Sequence, residues 1–269
     1  KMNNDRIQEI LDLMEEARLD YFLISDPQSI AYCTGYYNDP HERMFVFMIS
    51  KHGNHTLFMN DLFYLEHDLD VNIVWHKDGQ DAIQTIVDEM HFPGRIGIDK
   101  NWASHFLLDL MKKLPDAKYI NASPCVDLVR MKKDLQEQVL MIESSKINDA
   151  VMEEIIPFIQ EGVTEKQLAK KLDELFFNHH STCYGAIVAF GKNAADPHHE
   201  NDDTPLRKGD CVLIDMGCVY KGYCSDMTRT FFYEGILEEE IKVYEIVKKA
   251  NEAAEAMIKP GVKLSDIDK

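Results

Sequence analysis

The sequence predicts an α/β domain over residues 1–125 followed by a second, α+β domain over residues 126–269. Three observations predict it. Short apolar runs interleave with helix-patterned segments through the first half, the composition changes after Pro124 to a long charged amphipathic segment, and an apolar strand beyond it, residues 212–214, ends on Asp215.

Residues 7–17 (IQEILDLMEEA) place apolar side chains at helical spacing, and YFLIS (21–25) reads as a strand. RMFVFMIS (43–50), HTLFMN (55–60) and VNIVW (71–75) add further strands. A helix over DAIQTIVDEM (81–90) precedes a strand at RIGID (95–99), and a helix over SHFLLDLMKKL (104–114) precedes one at KYIN (118–121). This alternation fits a mixed sheet with helices, and 45% hydrophobic residues in a chain of 269 supply a core for each domain.

The second domain opens with a helix pattern from Lys132 to about Phe158, ended by Pro157. Thr164 with Gln167 three residues later is a capping box for the next helix. Then come a strand, YGAIVAF (184–190), a loop, GKNAADPHHENDD (191–203), a hairpin, and a helix over residues 237–258. EGVTEKQL (161–168) and PGVKLSDI (260–267) share a Gly-Val followed by an apolar residue at the same offset. Their glycines lie 99 positions apart, which suggests an internal repeat whose second copy has only begun by Lys269.

A net charge of −18 argues against binding to nucleic acid or to an anionic membrane surface. Six cysteines without C-x-x-C spacing read as reduced thiols of a cytoplasmic protein, and no stretch has the apolar length of a membrane span. Cys211, Cys218 and Cys224 crowd one stretch but lack the tight pairs of a structural zinc site.

That stretch is CVLIDMGCVYKGYCSDMTRTFF (211–232). Asp215 ends an apolar run, and a buried carboxylate needs a partner or a cation. In an antiparallel hairpin with Asp215 opposite Asp226, the turn centres between Tyr220 and Lys221, with Gly222 free to take an unusual φ. Residues so paired share a face, with Cβ atoms about 4.5–5.5 Å apart. The carboxylates would converge and repel unless a divalent ion such as manganese, cobalt or zinc lay between them. The competing reading leaves Asp226 exposed and Asp215 capping a turn. Thr228 and Thr230 alternate onto the face of Asp226 as candidate donors to the ligands, while Arg229 points away.

The segment IDMGCVYKGYCSDMTRTF resembles the metal-ligand hairpin of the creatinase/aminopeptidase P, or pita-bread, metallopeptidases, with their D-x-G…S-D-x-T-R-T pattern. The resemblance implies a creatinase-like N-terminal α/β domain followed by the first half of a pita-bread domain. It implies Asp215 and Asp226 as ligands of two divalent metal ions, manganese first, with cobalt or zinc as alternatives. IVAFGKNAADPHH resembles the family segment whose Pro-His histidine lines the active site, which maps to His198. His199, His179 and His180 read as solvated or secondary. DPQSIAYCTGY (26–36) and LVRMKKDLQEQ (128–138) resemble the N-terminal signature and linker of the Xaa-Pro peptidase branch, with Ser29 where asparagine is usual.

By that resemblance the activity is hydrolysis of Xaa-Pro bonds, of aminopeptidase P or prolidase type. The partners are a peptide or dipeptide with proline at the second position and a second copy of the chain, with no nucleic acid and no membrane. Carboxylates bridging two cations can lower the pKa of a bridging water, and His198 would hydrogen-bond the substrate or the tetrahedral intermediate. Two alternatives remain: a metal-free amidinohydrolase like creatinase, whose branch lacks the paired aspartates, and a non-catalytic binding module. The family draws a histidine and two glutamates from the second half of its fold, and the repeat places such positions past Lys269. The 269 residues are therefore expected to be the front part of a longer protein and, alone, inactive as a peptidase.

Overall fold

Strands buried on both faces need mostly apolar residues, and YFLI, VFMIS and TLFMN have them at all positions but Ser50, Thr56 and Asn60. In the computed structural model, which describes residues 2–269, all residues of β1 (Tyr21–Ile24), β2 (Val46–Ser50) and β3 (Thr56–Asn60) are buried. With β4 (Asn72–His76), β5 (Arg95–Ile98) and β6 (Lys118–Asn121) they form one mixed sheet of order β4-β3-β2-β1-β5-β6. The β1–β2 and β2–β3 pairs are antiparallel, and β3–β4, β1–β5 and β5–β6 are parallel.

Alternate side chains feed two cores. Phe22, Ile24, Phe47 and Ile49 pack with α1 (Asn4–Glu16), α2 (Pro27–Thr34) and α5 (Ser123–Met131). Tyr21, Leu23, Val46 and Met48 pack with α3 (Ala82–Asp88) and α4 (Ser104–Lys113). The first unit is thus a three-layer α/β/α sandwich. The chain divides into two compact units between Lys133 and Asp134, so α5 belongs to the first.

The sequence reading assigned no helix to 26–36, where α2 stands. Asp26 caps it, accepting from the Ser29 amide at 2.9 Å, and Pro27 sits in the first turn, where its missing N–H costs nothing. Ser29 also donates its hydroxyl to Asp26 at 2.6 Å and accepts from Arg130 Nη1 at 2.9 Å. Serine thus has a bonded place at the position where the resemblance has asparagine.

The second unit opens with α6 (Leu135–Ile155), started by an Asp134/Glu137 capping box and followed by a 3₁₀ turn at Ile156–Phe158. The Thr164/Gln167 box starts α7 (Glu165–Asn178), as its sequence suggests. Two three-stranded antiparallel sheets follow. One is ordered β12-β9-β8, from β8 (Ile187–Phe190), β9 (Cys211–Met216) and β12 (Met227–Phe232). The other is ordered β11-β10-β7, from β7 (Thr182–Cys183), β10 (Cys218–Tyr220) and β11 (Tyr223–Cys224). Val188, Phe190, Val212 and Ile214 pack under Val151, Ile155, Leu168, Leu172 and Phe176 of α6 and α7. The helices α8 (Glu238–Met257) and α9 (Leu264–Ile267) bury no residue fully, and α8 meets the sheet where Tyr244 contacts Phe232 edge-on at 5.9 Å.

Candidate metal centre

One continuous hairpin joins the two sheets. Its turn is the two-residue Lys221-Gly222, with φ of 48° and 84°, closing a Tyr220–Tyr223 pair. Left-handed φ at both central residues matches the twist of antiparallel strands. The turn therefore lies one residue later than between Tyr220 and Lys221, and the register moves by two: Asp215 pairs with Thr228, not with Asp226. A shift of two keeps every side chain on its face, so Asp226 becomes a diagonal neighbour of Asp215.

The strand β9 is not buried on both sides. Val212, Ile214 and Met216 are buried, while Cys211, Leu213 and Asp215 occupy a half-open face. Asp215 is half-buried and Asp226 exposed. The Thr228 hydroxyl donates to Asp215 Oδ1 at 2.7 Å, while Arg229 turns to its neighbour's carbonyl. Among the described residues no lysine, arginine or histidine pairs with either carboxylate, and Asp226 accepts no hydrogen bond. Two uncompensated carboxylates on one face, with oxygens left free, suit hard divalent cations.

Tyr184 was not singled out from the sequence, yet it belongs to this site. Its hydroxyl donates to the Ser225 carbonyl at 2.6 Å, next to Asp226. Burial, then the negative charges of Asp226, Cys224 and Asp215, push its phenol up to about 12. The phenol sits over Gly217, where an added Cβ would lie 2.0 Å from the Tyr184 oxygen. The glycine of the D-x-G pattern was the available sign of such an approach. A spectrophotometric difference titration of the protein against Tyr184→Phe should show one phenol titrating near 12. The folded value lies above the ordinary 10.0, so the associated stability is intact below that pH and is lost as pH rises through about 12. A missing tyrosine titrating near 10 would contradict the burial of the phenol beside these carboxylates.

His198 is exposed on the 191–204 loop, its amide bonded to Asp196 Oδ1 at 3.0 Å, and no contact among the described residues joins it to Asp215 or Asp226. Of the histidines read as solvated or secondary, His199 is not solvated: its Nε2 lies 2.6 Å from Glu165 Oε2, and its side chain is only 11% exposed. His179 likewise meets Glu154 at 3.0 Å. Glu165, His199 and Asp202 have ligand atoms within 4.8 Å of one another. Those atoms are already in use. Both Glu165 oxygens accept two hydrogen bonds each, and Asp202 accepts the Thr204 amide at 2.7 Å. Thr204's hydroxyl and amide hold the Asp202 carboxyl below its usual range. This cluster is a hydrogen-bonded brace.

Comparison with known proteins places both units. Residues 6–132 match the Creatinase/Prolidase N-terminal domain and residues 139–269 match Metallopeptidase family M24. The chain is similar to an uncharacterized peptidase of Staphylococcus saprophyticus, 28% identical over 273 residues that span 98% of this chain and 76% of that one. Among solved structures it is similar to a dipeptidase from Pyrococcus horikoshii OT3, with 32% identity and a TM-score of 0.88 over 98% of this chain and 75% of that one. It is also similar to a prolidase from Thermococcus sibiricus, with 27% identity and a TM-score of 0.89 over 100% and 76%. With a creatinase-type sandwich leading into an M24 hairpin that presents two unneutralised aspartates, the chain belongs to metallopeptidase family M24.

Proposed function

We propose that the protein hydrolyses the bond between an amino-terminal residue and proline in small peptides, as an aminopeptidase P or a prolidase. It does so in the cytoplasm, as a homodimer, with two divalent ions, manganese foremost, held by Asp215 and Asp226. The observation that carries this reading is the pair of carboxylates without cationic partners on one sheet face. The creatinase/prolidase N-terminal domain and the likeness to a dipeptidase and a prolidase support the substrate class. Six free cysteines, and the absence of any described helix long and apolar enough to cross a membrane, are consistent with the compartment.

Asp215 and Asp226 would hold the divalent ions, which would supply Lewis-acid polarisation of a carbonyl and an activated water. The chain's own residues hold the geometry. Thr228 orients Asp215 through Oδ1 and leaves Oδ2 free to ligate. Tyr184 keeps its proton and ties down the Ser225 carbonyl, which fixes the backbone that carries Asp226. Leu213 and Ile187, half-buried on the same face as Asp215, give that side of the site an apolar border. The His198 imidazole donates a hydrogen bond to the carbonyl oxygen as that oxygen gains charge.

The test is a substrate series on the natural full-length protein: Ala-Pro, Ala-Ala and Ala-Pro-Ala, with a chelator and then with added manganese. Ala-Pro should be preferred over Ala-Ala by about 100-fold in kcat/KM, a margin within reach of pocket discrimination. Activity should vanish with chelator and return with manganese. Equal turnover of Ala-Ala would remove the proline specificity, and chelator-resistant turnover would remove the metal.

A further inference from the structure

Glu165 is fully buried, although a carboxylate out of water is costly unless donors surround it. Four N–H groups do so, and all come from one segment. Oε1 accepts from the Phe190 amide at 2.8 Å and from Asn193 Nδ2 at 2.9 Å. Oε2 accepts from His199 Nε2 at 2.6 Å and from the Asp202 amide at 3.0 Å. The start of α7 grips the same segment from its backbone, since the Glu165 and Lys166 amides donate to the carbonyls of Thr204 and Asp202 at 3.3 and 3.2 Å. Residues 190–202 are thus fastened at both ends and in the middle to one acidic side chain, and the α7 backbone holds Asp202 and Thr204 as well.

His198 sits inside that segment with its side chain in solvent. Its bonds are local: its own amide meets Asp196 Oδ1, and the His199 amide meets the Asp196 carbonyl at 3.2 Å. Within the turn itself the side-chain link to the rest of the unit is the inward-facing imidazole of His199 on Glu165. Asn201, two residues on, is tied separately, accepting from the Val188 amide and donating to the Ala186 carbonyl, both at 2.7 Å. With residue 199 pinned inward, residue 198 is left facing outward.

We propose that Glu165 is a positioning residue. By accepting from Phe190, Asn193, His199 and Asp202 it sets the backbone at 198–199 and so presents the His198 imidazole to the substrate. The inference rests on the peptidase reading above for what His198 does. The anchoring itself is independent of that reading.

The substitution Glu165→Gln keeps shape but turns an amide N–H₂ toward N–H donors on one side of the buried site. Asn193→Ala removes one donor of the four and serves if the first variant folds poorly. Residue-resolved amide hydrogen exchange on the chain, and steady-state kinetics of the natural full-length protein with Ala-Pro, are the two readouts. For Glu165→Gln, exchange at Phe190, His199 and Asp202 should rise at least about tenfold while Leu172 and Val212 stay protected. The kcat should fall about ten- to a hundredfold, with KM and metal content within about twofold, as expected when a group is misplaced rather than removed. Asn193→Ala should move the same quantities in the same direction by less. Three results overturn the proposal: unchanged exchange in 190–204, a uniform rise across the unit, or a loosened segment with unchanged kcat. If the unsubstituted protein does not cleave Ala-Pro, the peptidase reading fails, and with it the catalytic half of the inference, while the exchange measurement still decides whether Glu165 anchors the segment.

Discussion

Asp226→Asn in the natural full-length protein is expected to lower turnover of an Xaa-Pro dipeptide by at least about 100-fold and to reduce bound manganese. The side chain is exposed and accepts no hydrogen bond among the described residues, so the substitution removes no packing and no partner. What it removes is charge. Without metal, two aspartates on one face repel, and neutralising one should leave the metal-free protein as stable or slightly more so. With metal, the wild type should gain stability by mass action and the variant should gain little. That opposite sign separates a ligand from an ordinary surface aspartate. Thr228→Val, which removes the 2.7 Å donor to Asp215 but keeps both carboxylates, should weaken metal binding by about 10–100-fold. Normal metal content and turnover in Asp226→Asn would mean that the hairpin does not hold the ions.

Gly217→Ala should be the most destabilising single substitution in the hairpin, by about 3 kcal/mol, read as a drop of roughly 5–10 °C in the unfolding midpoint. The added Cβ would lie 2.0 Å from the Tyr184 hydroxyl and 2.2 Å from the Ser225 carbonyl oxygen. The tyrosine can swing aside, but the carbonyl is backbone within the ladder, where the Ser225 amide bonds the Cys218 carbonyl at 2.9 Å. Adding Tyr184→Ala should therefore recover only part of the loss, and the double variant should remain well below Tyr184→Ala alone. The same push displaces the chain at Asp226, so manganese affinity should fall as well. A fully additive pair, or a Gly217→Ala protein as stable as the wild type, would contradict this packing.

Local chemistry was legible in the sequence. Short, mainly apolar runs announced strands, and Thr164 with Gln167 announced a helix start, because strands and capping boxes are decided within a few residues. The hairpin and its two aspartates were legible for the same reason. Where a decision depended on backbone conformation or on distant chain, the sequence was silent or pointed to the wrong register. The register of Asp215 turned on whether Lys221, a non-glycine residue, would accept a φ of 48°, and the twist of the paired strands settled that. The helix α2 is short, and its capping by Asp26 is reinforced by Arg130, 104 residues away. Glu165 reads in the sequence as one more acidic residue in the first turn of a helix. Only tertiary structure makes it a buried hub, because its four donors lie 25 to 37 residues further along and meet at one carboxylate once β8 and its loop fold back onto α7.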